Sequence, residues 1–297
     1  MPSDAYGATM RVLRPAENVY AFYDGRIAGK RLFSPEPNWL DDGAYALGIA
    51  SYAIVDGSEA LVYDTHISLQ HAQIIRHMLR DMGVASIRVV LSHYHDDHVA
   101  GNEVFADCEI VANELTARLL AENRAKYEAA TPPIKPLVPP TRTFAGRLDL
   151  KVGSIPVELH HFDIHSVDET LLWLPERSLL FAGDALEDTV TYVDEPDRLT
   201  NHLRDLNRLA GWPIERILPN HGDPDIIAQG GYAKSLIDAT KTYVQRLLLC
   251  KADPDLAAND LRSFMAAELA AGALSYFAPY EEVHRDNVRA VLATQGT

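Results

Sequence analysis

The hydrophobic pattern changes period repeatedly along the chain. Residues 19–23, Val-Tyr-Ala-Phe-Tyr, read as a strand closed by a turn at Asp24-Gly25. After an irregular stretch over 26–46, strand pattern resumes at 50–55, turns at Asp56-Gly57 and returns at 60–63, which is hairpin chemistry. Over 69–82 the period becomes helical: Ile74, Ile75, Met78 and Leu79 share one stripe, and Gly83 follows as a C-terminal cap. A short buried-type strand at 87–91 comes next, then a helix from about 98 to 106, a strand at 109–112 and a helix over 114–129.

Pro132, Pro133, Pro136, Pro139 and Pro140 exclude a helix from 131–143 and predict a long surface loop. Hairpins follow at 144–162 and 170–182. A helix at 199–210, a strand at 216–218, a helix at 231–250 and a helical tail over 254–294 complete the reading. Strand-rich segments leading into helices occur twice, without an internal repeat. This suggests two sheets packed face to face with helices outside.

The 297 residues allow two domains or one large α/β domain. With 47% hydrophobic and 23% charged residues, collagen, coiled coil and wholesale disorder are excluded. The balance of 27 Lys+Arg against 42 Asp+Glu gives −15. That field repels nucleic acid and anionic membrane surfaces, although bound divalent metal would offset part of it. The two cysteines, Cys108 and Cys250, make no disulfide framework. No stretch approaches the ~20 apolar residues of a membrane span, and residues 1–14 lack a secretory pattern, so the expected compartment is the cytoplasm.

The chemistry concentrates in one place. Three of the 12 histidines, His93, His95 and His98, fall within six residues with Asp97 between, directly after an apolar strand. Imidazole and carboxylate are standard ligands for zinc and its neighbours. Two histidines at i and i+2 leaving a strand can project to one side, while Asp97 and His98, past the turn, point back toward a second ion about 3.5–4 Å away.

This HxHxDH run resembles the hallmark of the metallo-β-lactamase-fold superfamily of metallohydrolases. Three further segments match in order. Asp163-Ile164-His165-Ser166 precedes a strand, Gly183-Asp184 ends one, and Asn220-His221-Gly222 follows another. The matches span 50–222. The resemblance implies an α/β fold, an αββα sandwich of two mixed sheets with outer helices, over 1–250. A C-terminal helical extension, 251–297, would pack on the same domain. It also implies two divalent ions, Zn2+ first with Mn2+ or Fe2+ open. His93, His95 and His165 would hold one and Asp97, His98 and His221 the other, with Asp184 bridging.

A metal-bridging hydroxide would then cleave an ester, lactone, thioester or amide bond of a small molecule, with Asp97 and Asp184 as the catalytic carboxylates. Asp64, at a strand end before Thr65, matches a family position behind the ligands. Departing segments supply the expected substrate contacts: Trp39, Tyr192 and Phe277. β-Lactamases of the superfamily generally lack the bridging Asp, and the homoserine-lactone lactonases carry Tyr where this chain has Glu187. Either activity stays as an alternative. A mononuclear iron persulfide dioxygenase is a third, but it would leave the second site empty. The expected partner is a small molecule, with no nucleic acid or membrane; a homo-oligomer stays open.

Overall fold

The computed structural model describes residues 6–294. Among these residues, twelve strands form two sheets. In the first, β1 (Arg11–Ala16), β2 (Val19–Asp24), β3 (Ile49–Asp56), β4 (Glu59–Tyr63), β5 (Ser86–Val90), β6 (Glu109–Asn113) and β7 (Arg142–Phe144) lie in chain order. The first four are antiparallel, and β4 to β7 run parallel. The second sheet has the order β12-β11-β10-β9-β8. Its members are β8 (Arg147–Val152), β9 (Ile155–His161), β10 (Thr170–Leu174), β11 (Leu179–Gly183) and β12 (Arg216–Pro219). Only β11 and β12 are parallel there.

The central strands are buried on both faces, which explains why they read as continuous apolar runs. Between the sheets, Tyr52, Leu61 and Tyr63 of the first meet Leu159, Leu172 and Phe181 of the second. Tyr52 and Phe181 meet edge to face at 5.3 Å. The Tyr52 hydroxyl donates to Pro219 O (2.5 Å) and the Tyr63 hydroxyl to Thr170 O (2.5 Å), so each buried phenol also ties the two sheets together.

On the outer side of the first sheet, α1 (Leu69–Asp81) seats Ile75 and Leu79 against Val62, Val89 and Ile110. Ser68 caps α1 by accepting from the His71 N–H. The second sheet is covered by α5 (Leu199–Ala210) and, after the short α6 (Pro224–Ala228), by α7 (Ser235–Leu249), with Trp173 against Trp212 at 5.8 Å. Short helices follow at α8 (Pro254–Ala257), α9 (Leu261–Phe264) and α10 (Ala266–Ala270), then α11 (Tyr280–Ala293). Their Leu261, Phe264, Tyr280 and Val288 join the same apolar core. Among the described residues no helix is long and apolar enough to cross a membrane.

The structure corrects several sequence-based expectations. β1 escaped notice because it is a half-exposed edge strand with mixed composition. The irregular stretch 26–46 contains a wide helical turn, Trp39–Tyr45, capped by the Asn38 side chain on the Asp41 N–H. The helix expected at 98–106 is two single turns, α2 (Asp96–Val99) and Asn102–Phe105. They are separated at Gly101, where a Cβ would lie 2.1 Å from Thr65 O. The helix expected over 114–129 breaks at Asn123 into α3 (Glu114–Glu122) and α4 (Arg124–Ala129). The proline-rich segment is not a free surface loop. Its Ile134 and Leu137 are buried, Trp39 donates to Pro132 O, and Arg142–Phe144 pairs as β7.

Candidate metal centre

Strand ends from both sheets converge on one edge of the sandwich. β4 leads into Asp64, β5 into Ser92 and His93, β11 into Asp184, and β12 into Asn220 and His221. His165 stands on the crossing between β9 and β10. Asp64 and His165 adopt left-handed backbone (φ 66° each). Such conformations are costly for non-glycine residues and persist where surrounding contacts hold them.

Seven side chains form two groups. His93, His95 and His165 bring one ring nitrogen each to a common point, and Asp97, His98, Asp184 and His221 make a second cluster. His95 Nδ1 lies 2.9 Å from His93 Nε2 and 3.0 Å from His165 Nε2. Asp184 Oδ2 faces both groups. It is 3.7 and 3.8 Å from His93 and His165 on one side, and 3.1 and 3.4 Å from His98 and His221 on the other. Asp97 completes the second group, 3.1 Å from His221 Nε2.

The nitrogen each histidine turns away from the centre has an oxygen to bond. His98 Nδ1 donates to Asp64 (3.0 Å), His221 Nδ1 to Gly48 O (2.7 Å) and His165 Nδ1 to Tyr192 O (3.0 Å). His95 Nε2 faces Asp194 at 3.5 Å, and His93 Nδ1 lies 2.9 Å from the Ser92 hydroxyl with Glu169 beyond at 3.6 Å. Such outer bonds fix the ring tautomer and leave the inner nitrogen as a lone-pair donor. Asp64 does more than hold His98. It also accepts from the Ser92 N–H (2.7 Å) and the Asn220 amide (2.5 Å), joining the ends of β4, β5 and β12.

The electrostatics suit a cation. Burial, with the neighbouring imidazoles, holds His93 well below its ordinary pKa and lowers His165 to about 3, so both rings are neutral. Neutral imidazole is the form that binds metal. In the second group burial opposes charge, but Asp184 and Asp97 outweigh it and draw protons onto His98 and His221. A divalent ion would take the place of those protons. Asp184 Oδ1 is buried without a hydrogen-bond partner, an expensive arrangement that a bound ion would relieve. The donor set of imidazoles and carboxylates therefore fits divalent metal.

Beside this centre opens a cavity of about 500 Å³. Trp39 and Tyr192, two of the expected substrate contacts, line it. Phe277 does not: Thr189 pins its backbone, and its ring packs under the Arg26 guanidinium at 4.3 Å. Sequence reasoning missed Glu169, Asp194 and Asn220. An acidic residue just before an apolar strand was the only signal for Glu169. His66 is buried and stacked on His71 outside the cavity lining, and His71 pairs with Asp24 at 3.0 Å.

Comparison with known proteins agrees with this architecture. A family model described as the metallo-beta-lactamase superfamily matches residues 44–221, more than half of the chain. The chain is 23% identical over 211 residues to the metallo-beta-lactamase type 2 of Bacteroides fragilis, covering 68% of this chain and 77% of that one. It is 25% identical over 181 residues to a beta-lactamase-like protein 2 homolog of Caenorhabditis elegans, covering 59% and 56% respectively. Among solved structures, a metallo-beta-lactamase from Pontibacter korlensis superposes with a TM-score of 0.62 at 19% identity, over 80% of this chain and 99% of that one. The DIM-1 metallo-beta-lactamase gives 0.60 at 21%, over 80% and 96%. These structural likenesses show the shared fold, and the family match extends it to the sequence: the chain belongs to the metallo-β-lactamase superfamily.

Proposed function

We propose that this protein is a dinuclear metal-dependent hydrolase of a small-molecule ester, lactone, thioester or amide. The observation that carries the reading is the position of Asp184 Oδ2 between two donor groups, each complete enough to hold an ion. His93, His95 and His165 would hold one ion, Asp97, His98 and His221 the other, and Asp184 both. When bound, such a pair polarises the scissile bond and lowers the pKa of a shared water toward neutrality.

The chain's own groups do the rest. Asp97 sits at the cavity wall with one carboxylate oxygen near His221 and the other near His98. It is placed to orient the attacking water and to take up its proton. Trp39 and Tyr192 offer apolar surface to the substrate body, as small-molecule cavities usually do. The lactamase relatives favour a lactam as one candidate bond. The completeness of the second group argues against the mononuclear iron dioxygenase.

Hydrolysis of a panel of lactone, aryl ester, thioester and β-lactam substrates tests the reading. Turnover of at least one, abolished by a chelator and restored by Zn2+ or Mn2+, is expected; no turnover of any sinks it. Asp64→Asn should lower kcat/KM or metal affinity by roughly 10–100-fold, the usual cost of losing an outer partner of a ligand. Unchanged metal affinity and unchanged kcat/KM in that variant would remove Asp64 from the account.

A further inference from the structure

The lining of the cavity is strongly asymmetric in charge. Among the described lining residues Lys126 is the only Lys or Arg, against eight carboxylates. Asp97 and Asp184 belong to the proposed metal centre and are offset there. Asp42 pairs with Arg31, and Glu282 and Asp286 of α11 pair with Arg285 and Arg289, cations that stand outside the lining. Asp96 makes no salt bridge among the described residues, although Lys126 favours its charged form; Asp194 faces His95 at 3.5 Å rather than a Lys or Arg; and Glu187 is buried, accepting from the Tyr192 N–H and the Tyr280 hydroxyl.

Trp39, Tyr94, Tyr127 and Tyr192 line the same cavity. Tyr94 commits its hydroxyl to Asp194 (2.9 Å), and Tyr127 commits its own to Tyr94 O. With their hydroxyls engaged, what these rings can offer the cavity is carbon. Trp39 likewise spends its indole N–H on Pro132 O (2.8 Å). Aromatic carbon and carboxylate in one cavity are the chemistry that receives an ammonium group, through ring quadrupoles and charge together. It is hostile to a carboxylate or phosphate, for which a cationic clamp would be needed.

Resting on the hydrolase reading, the geometry points to a substrate that carries a positively charged nitrogen, an amine or quaternary ammonium, held in this cavity while its ester or amide faces the metal centre. The net charge of −15 would draw such a substrate from a distance as well.

The test uses the metal-loaded protein and three esters of one acyl group: a choline ester, its uncharged 3,3-dimethylbutyl isostere and an alkylsulfonate-bearing ester. At low ionic strength kcat/KM should be at least about 10-fold higher for the choline ester than for the isostere, and lower again for the sulfonate. Added salt should compress the series. The double variant Glu282→Gln, Asp286→Asn should reduce the choline-to-isostere ratio.

Calorimetry with benzyltrimethylammonium and benzenesulfonate gives a readout independent of turnover, and only the former should bind. Hydrolysis of the isostere with no preference for charge, together with no binding of the ammonium, would overturn this inference and leave the hydrolase reading intact. Binding of the ammonium with no hydrolysis of these esters or of any member of the lactone, aryl ester, thioester and β-lactam panel would do the reverse.

Discussion

His95→Ala should abolish hydrolysis and release bound metal. The ring contributes Nδ1 to the meeting point of His93 and His165, 2.9 and 3.0 Å away, and its far nitrogen faces Asp194. The loss in kcat/KM should exceed the roughly 100-fold typical of removing an outer partner, because here the proposed ligand itself is gone. His95 is part-exposed in the cavity wall, so truncation opens space to water and leaves the apolar core untouched. The variant should therefore stay folded by circular dichroism while its metal content, measured by mass spectrometry, falls. Full activity with full metal would show that His95 is not a ligand.

The second large effect lies in the backbone. Gly183 ends β11 at φ +54° and delivers Asp184 to the centre. A Cβ there would stand 1.9 Å from Glu169 Oε1, and Glu169 is fully buried beside His93. Gly183→Ala thus adds the left-handed penalty of about 1–2 kcal/mol for a residue with a Cβ to a steric conflict with a carboxylate that has little room to withdraw. We expect a total loss of about 2–4 kcal/mol, seen as a lowered denaturation midpoint, and weaker metal binding as Asp184 is pushed off position. Gly183→Ala combined with Glu169→Ala should recover part of the stability; no recovery would place the strain elsewhere.

How much of this was legible in sequence depends on whether a residue's signal is local. His93, His95, Asp97 and His98 are crowded into one strand exit, where residue type and spacing speak together. His165, Asp184 and His221 are far apart, and only their order behind successive strands, read through the family resemblance, linked them to the first group. The structure places all seven at one sheet edge.

The roles of Glu169, Asp194 and Asn220 are not legible because their partners lie up to 156 positions away, as between Asn220 and Asp64, and no periodicity encodes such contacts. Phe277 misled for the opposite reason. An aromatic in a polar tail looks available, but Arg26 and Thr189 claim it in three dimensions. The proline-rich segment misled likewise. Prolines exclude helix, yet nothing local tells that Ile134 and Leu137 turn inward.

Metal content and turnover, measured on the same sample, test the central claim most directly. The account predicts about two equivalents of divalent metal per chain, hydrolysis that a chelator abolishes, and activity that returns in step with metal added back. A single equivalent of iron, or hydrolysis that survives complete removal of metal, would contradict it.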